Sequence, residues 1–381
     1  MAKELNNPFV VYGYKGKDYF CDREIETAKI IKGLNNERNI TLIAPRRIGK
    51  TGLIHHVFSQ IRQLQPEVCC IYFDILATKT IEQFIQLMAR NVLGRLDSPT
   101  QNALHKVQDF FSAFRPTMTF DASTGMPTFS LDIAKSQEHQ SLQRIFEYLA
   151  QSDRRCYIAI DEFQQITKYA DSDTEALLRS FIQFVPNVYF IFAGSQQHMM
   201  SDIFLSPERP LYQGAQMVTI KEIDESVYYA FANSYFLMRK QSLQESVFHY
   251  LYEKVEGQTW YIQAILNRIY SNMFGDITEQ DVNVAIQELI DEEEVAFENY
   301  YAGLTANQVA LLSAIACERQ VKSPMAQAFI AKYRLPALSS IKIALESLAD
   351  SQFIYQYKGN YVVYDRFFSM WLRERVSLFS V

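Results

Sequence analysis

The sequence predicts an α/β fold with a parallel sheet, followed by a helical segment and a C-terminal winged helix-turn-helix. Three observations predict it. Five short apolar runs alternate with helical periodicity up to residue 223, one of those runs leads into Gly-Lys-Thr, and the last segment reads as three helices and a strand–turn–strand.

The five runs are NITLIAP (39–45), VCCIYFDI (68–75), CYIAIDEF (156–163), VYFIFAGS (188–195) and MVTIKEI (217–223). They are nearly continuous and rich in β-branched and aromatic residues, as strands covered on both faces must be. Stretches such as TIEQFIQLMARNVLG and SLQRIFEYLAQS fill the gaps with helical spacing, so the strands are parallel with right-handed crossovers. Between the second and third runs, 117–121 and 128–132 alternate around a Gly/Pro turn, which predicts an inserted β-hairpin near 115–133. From 223 to 300 the pattern is helical, with a capped start at Thr278 and an acidic run at 291–294. Helices are then expected over about 305–317, 324–333 and 338–349, a wing in FIYQYKGNYVVYD, and a last helix in RFFSMWLRER. The expected domains are 1–222, 223–300 and 301–381. Charge follows the same divisions: neutral over 1–220, net −10 over 221–300 and net +4 over 301–381.

Composition excludes several classes. Apolar residues make up 48% of 381, with 27 Phe and 23 Tyr, enough for substantial cores and unlike a disordered chain. No apolar run reaches the length of a membrane span, and the N-terminal residues carry no secretory pattern, so a cytoplasmic protein without a membrane partner is expected. The five cysteines show no metal spacing, and the adjacent Cys69 and Cys70 face opposite sides of a strand.

The chemistry is expected at LIAPRRIGKTGLI (42–54). Strand, loop and helix start follow in the order a P-loop requires, so that backbone N–H groups and the helix N-terminus face phosphate. Pro45, Arg46, Arg47, Ile48, Gly49, Lys50, Thr51 and Gly52 form the expected cradle. Gly49 leaves room for a phosphate, Lys50 reaches the β- and γ-phosphates, and Thr51 coordinates Mg²⁺ through its hydroxyl. Ala44 stands where the motif's first glycine belongs and implies a modest backbone adjustment. Arg46 and Arg47 either touch phosphates or contact the core's own acidic residues or a neighbouring subunit. The third strand ends in Asp161-Glu162, placing carboxylates at the ligand crevice. Asp161 is the expected metal ligand and Glu162 the catalytic group that orients and deprotonates water. Ser195, or Gln196 beside it, ends the fourth strand. If the strand order is 5-1-4-3-2, that group lies between the other two motif strands and can bond the γ-phosphate or the lytic water; an ordinary Gly-Ser turn is the plain alternative.

These residues resemble the prokaryotic, archaeal-type AAA-like ATPases related to the signal-transduction ATPases with numerous domains. The resemblance rests on NPF (7–9), YFCDREIE (19–26), PRRIGKT, IAIDEFQ, FAGS, RPLY (209–212), the spaced Gly and Tyr of GQTWY (257–261) and YVVYDRFFSMWLRE, and it spans nearly the whole chain. It implies an AAA-type core, a helical lid and a winged helix, with ATP bound between core and lid. It also implies that adenine lies near Asn7, Pro8, Phe9, Val10 and Arg23, and that Tyr261 of the lid belongs to the nucleotide-binding set. Two departures stand out. An arginine commonly follows the LYG turn, whereas this chain reads RPLYQGAQ, leaving Arg209 as the nearest arginine finger; and Gln258-Thr259-Trp260 replaces a segment that often carries proline.

A Mg-dependent ATPase is therefore expected, acting as a conformational switch that presents its winged helix to a protein partner, as a monomer or an oligomer. The rival readings are an ATP- or ADP-binding interaction module that does not hydrolyse, and an ATP-tuned DNA-binding regulator. The expected reading helix, LSSIKIALESLAD, sets Lys342 against Glu346 and Asp350 and offers few groups suited to base edges.

Overall fold

The computed structural model describes residues 5–93, 95–96, 115–120, 127–132, 138–170, 173–272 and 275–379. They divide into two compact units. One is Tyr12–Tyr228; the other joins Met1–Val11 to Tyr229–Val381.

The first unit is built on a sheet of β1 (Ile40–Ile43), β2 (Cys69–Asp74), β5 (Cys156–Asp161), β6 (Val188–Gly194) and β7 (Gln216–Thr219), after α1 (Glu24–Asn35). A separate antiparallel hairpin, β3 (Arg115–Phe120) with β4 (Pro127–Asp132), occupies the expected insertion; its turn lies outside the described residues. The five sheet strands are parallel and ordered β2-β5-β6-β1-β7, the expected 5-1-4-3-2 read from the other edge. Every residue of β1 and β5 is buried, which explains their unbroken apolar text. Alternate residues feed two cores. Phe73, Ile158, Ile160, Phe190 and Phe192 fill one face. Leu42, Tyr157, Ala159, Ile191 and Ala193 fill the other, against Leu53 and Val57 of α2 (Lys50–Leu64). Cys69 and Cys70 fall on opposite faces, as a strand demands, and Cys69 instead lies in register with Cys156 on the neighbouring strand.

The first unit also contains α3 (Ile81–Val92), α4 (Glu138–Ala150), α5 (Thr174–Ile182) and α6 (Gln197–Leu205). The second unit begins in α7 (Glu225–Met238) and continues through α8 (Glu245–Lys254), α9 (Thr259–Asn272) and the long α10 (Glu279–Ala302). The start of α10 is fixed by a capping box: Thr278 Oγ1 accepts from the Asp281 N–H and the Asp281 carboxylate accepts from the Thr278 N–H. A winged helix follows, made of α11 (Ala306–Glu318), α12 (Gln327–Lys332), α13 (Leu338–Asp350), the hairpin β8 (Ile354–Tyr357) and β9 (Asn360–Val363), and α14 (Arg366–Phe379). Lys358 and Gly359 turn that hairpin with φ of 49° and 81°, the left-handed pair a two-residue loop needs. Val321 adds an antiparallel bridge to Tyr361. No helix of the described residues is long and apolar enough to cross a membrane.

Candidate active site

Because β6 lies between β1 and β5, the three motif-bearing strand ends fall side by side. After β1 the chain turns through Arg47 at φ 65° and Gly49 at φ 96°, then enters α2 at Lys50. Gly49 caps that helix in the left-handed region, where a side chain is disfavoured. Ala44, by contrast, is fully buried in the core and does not adopt a positive φ, so the backbone asks for no glycine there. Pro45 and Ile48 are also buried, whereas Gly49 and Thr51 are exposed. Gly52, in the first turn of α2, faces the Phe20 ring, where an added Cβ would sit 3.4 Å from the ring edge.

Lys50 converges on the two carboxylates at the end of β5. Its Nζ lies 2.8 Å from Asp161 Oδ1 and 2.9 Å from Glu162 Oε1, with the side chain only 7% exposed. Thr51 Oγ1 donates to Asp161 Oδ2 at 2.7 Å, and Tyr72 OH on β2 donates to the same oxygen at 3.1 Å. Burial pushes the Asp161 carboxyl up, but the Lys50 ammonium and the hydrogen bonds from Lys50, Thr51 and the Glu162 N–H outweigh it and hold the group below its ordinary range. Glu162 follows the same balance, with Lys50, Ser195 and Gln164 as its donors. Asp74, the register partner of Asp161 on β2, goes the other way: burial and then the charges of Asp161 and Glu162 raise it against one backbone hydrogen bond from Leu76.

A chain of hydrogen bonds runs across the strand tips. Arg46 Nε donates to Ser195 Oγ at 3.2 Å, and Ser195 Oγ donates to Glu162 Oε2 at 2.7 Å. Gln164 Nε2 donates to that oxygen at 2.5 Å. Arg46, Lys50, Thr51, Asp161, Glu162 and Ser195 thus form one cluster, with Arg46 contacting Ser195. Tyr72 and Gln164 join it without having been given a role from the sequence, although Gln164 closes the quoted IAIDEFQ; their signal lies in the fold, since Tyr72 is on the strand beside β5 and Gln164 is the second residue of the short helical segment Phe163–Lys168 after it.

The remaining candidates have other neighbours. Arg23, 3% exposed, donates to the Ile48 carbonyl at 3.5 Å and pairs with Glu26, so it braces the loop behind the cradle. Arg209 pairs with Glu175 and lies 3.5 Å from Asp202. Asn7, Pro8, Phe9 and Val10 belong to the second unit. Asn7 Nδ2 donates to the Asn267 carbonyl at 2.8 Å, Asn267 Nδ2 donates to the Phe9 carbonyl at 2.6 Å, and the fully buried Phe9 ring packs against Tyr235, Phe236 and Tyr270. Tyr261 is fully buried too; its hydroxyl accepts from the Arg366 N–H at 2.8 Å and its ring meets Phe367 edge-on.

Residues 20–265 match the family described as an ATPase domain predominantly from Archaea, and 295–374 match a probable winged helix domain. The Walker-type ATPase PABY2304 of Pyrococcus abyssi has a similar structure: 19% identity, TM-score 0.64, covering 96% of this chain and 99% of that one. The Aeropyrum pernix ORC1 protein, solved in complex with DNA, aligns over 98% of each chain at 11% identity and TM-score 0.55. The ADP form of the ORC2 protein from the same organism aligns over 97% of this chain and 96% of that one, at 13% identity and TM-score 0.54. These likenesses concern the fold. No curated protein matches the sequence.

Proposed function

This chain belongs to the family of ATPase domains found predominantly in Archaea, and on that footing we propose that it is a Mg-dependent ATP hydrolase working as a conformational switch. The observation that carries the reading is the placement of Lys50 within 2.9 Å of both Asp161 and Glu162 while Thr51 bonds Asp161. One ammonium is shared by two carboxylates, and Arg46 reaches them through Ser195, beside two hard oxygen donors 2.7 Å apart. That donor set suits a divalent cation, held by Thr51 and Asp161. When bound, the ion neutralises charge on the β- and γ-phosphate oxygens. Lys50 exchanges its carboxylate partners for phosphate oxygens, the turned backbone at Arg47–Gly49 offers N–H groups to phosphate, and Glu162 takes a proton from the attacking water. Slow basal turnover is expected, because Arg209 is engaged by Glu175 and Asp202.

The test is steady-state hydrolysis of MgATP by the native protein, Lys50→Ala and Glu162→Gln, beside a direct binding measurement. Glu162→Gln should bind MgATP and lose turnover, whereas Lys50→Ala should lose both. Equal rates in the three proteins would remove the site from the mechanism.

For the winged helix we favour contact with a protein. Leu338 and Ile343 on α13 are 54% and 68% exposed, and Lys342 lies 4.0 Å from Glu346, which offsets its charge. DNA is the second reading, supported by the likeness to a protein solved with DNA. A salt titration of duplex binding separates them, since phosphate contacts weaken steeply as salt rises.

A further inference from the structure

The two oxygens of Glu162 are treated differently. Oε2 receives Gln164 Nε2 at 2.5 Å and Ser195 Oγ at 2.7 Å, whereas Oε1 faces Lys50 Nζ at 2.9 Å. Lys50 is also the group a phosphate would draw away. We infer that Gln164 is a positioning residue for the water-activating carboxylate: it anchors Oε2 so that departure of Lys50 leaves Oε1 as the oxygen that meets water. The inference rests on the hydrolytic reading given above.

Three observations carry it. Gln164 is 1% exposed, and its Oε1 is buried without a hydrogen-bond partner. An orphaned buried carbonyl is unfavourable, so stability alone favours an apolar side chain at this position. The amide has room only because residue 194 is glycine: a Cβ there would lie 2.5 Å from Gln164 Oε1 and 2.4 Å from Met200 Sδ. Finally, Glu162 sits at φ 54° and ψ 40°, a left-handed conformation that an L side chain adopts only when its surroundings hold it.

Resting and working states then differ by one cation. With Lys50 on Oε1, the ammonium holds that oxygen's charge and lowers its basicity. Once Lys50 turns to the phosphates, the water oxygen bonds to the γ-phosphorus as the bond to the β,γ-bridging oxygen breaks. The electron pair stays on ADP, and the water proton passes to Glu162 Oε1. Gln164 takes no part in that bond change; it fixes where the accepting oxygen stands.

Gln164→Met keeps the length of the side chain and removes the donor. Expected are a kcat reduced by between about tenfold and a hundredfold, since misplacing a reacting group costs that much, a KM and a MgATP dissociation constant unchanged within about twofold, and no loss of melting temperature. Gly194→Ala, which would displace the amide, should give the same split. An unchanged or raised kcat, or a rise in KM at constant kcat, overturns the inference. So does unfolding of both Gln164→Met and Gln164→Leu, which would make the residue purely structural. The two readings fail separately. A native protein whose turnover is insensitive to Glu162→Gln sinks the hydrolytic reading, whereas turnover lost in Glu162→Gln but full in Gln164→Met sinks only the positioning role.

Discussion

Two buried charge networks, one in each unit, invite comparison. In the first, Lys50 faces Asp161 and Glu162. In the second, Arg366, 4% exposed, pairs with Glu256 at 2.8 Å, donates to the Val363 carbonyl at 2.7 Å and caps Tyr261 through its backbone N–H. Each contains a glutamate in the left-handed region, Glu162 and Glu256 both at φ 54°, so backbone strain does not distinguish them. Charge matching does. The Arg366 network sets one guanidinium against one carboxylate and satisfies the Val363 carbonyl on the wing. The Lys50 network shares one ammonium between two carboxylates, with Arg46 reaching them through Ser195. The Arg366 network is a brace; the Lys50 network is poised to exchange its shared cation.

Removing the brace should have the largest effect. Arg366→Ala takes the cation from the part-buried Glu256 and the donor from the Val363 carbonyl and should lower unfolding free energy by about 3 kcal/mol, the low end for breaking a buried pair, as read from chemical denaturation. A loss near zero would erase the distinction. Next comes Lys50→Ala, which should reduce kcat/KM for MgATP by at least about a hundredfold, as loss of one preorganised charge does. A smaller effect would show that the ammonium is a second brace.

The pH response sharpens the contrast. Although burial pushes them up, Asp161 and Glu162 are held by Lys50 below their ordinary values of 3.8 and 4.5. A carboxyl depressed in the folded state contributes stability above its unfolded value and loses it as pH falls through the folded one. The melting temperature of the ligand-free protein should therefore drop as pH is lowered from those values, and Lys50→Ala should flatten the part of the fall these groups cause. The smallest effect belongs to Lys342→Ala. Its pair with Glu346 is 4.0 Å long with both side chains more than 60% exposed, so the stability change should stay within about 0.5 kcal/mol.

Much of the first network was legible in the sequence because its members sit next to strand ends. Lys50 and Thr51 follow one apolar run, Asp161 and Glu162 another, and Ser195 a third; a correct strand order then puts those ends together. Gln164 and Tyr72 were not legible. One is an amide at the end of IAIDEFQ with no role readable from its spacing and the other a tyrosine among many, and only the fold brings them to the carboxylates. The Cys69–Cys156 neighbours escaped for the same reason, since adjacency across strands leaves no trace along the chain. The Arg366 brace joins residues about a hundred positions apart; Arg366 and Tyr261 lie in quoted motifs, but nothing along the chain pairs one with the other. Asn7–Val10 was readable as a motif but not as a neighbour of Asn267, which depends on how helices far downstream fold.

That last contact has a consequence for biogenesis. Phe9 leaves the ribosome well before its cage of Tyr235, Phe236 and Tyr270, which is translated more than 220 positions later. At about 5–20 residues per second, the ring waits roughly 10–50 s for its partners. During that interval the sheet of the first unit can form while the leading segment stays undocked, so a nascent chain arrested before α9 should present Phe9 to a chaperone that the finished protein no longer needs.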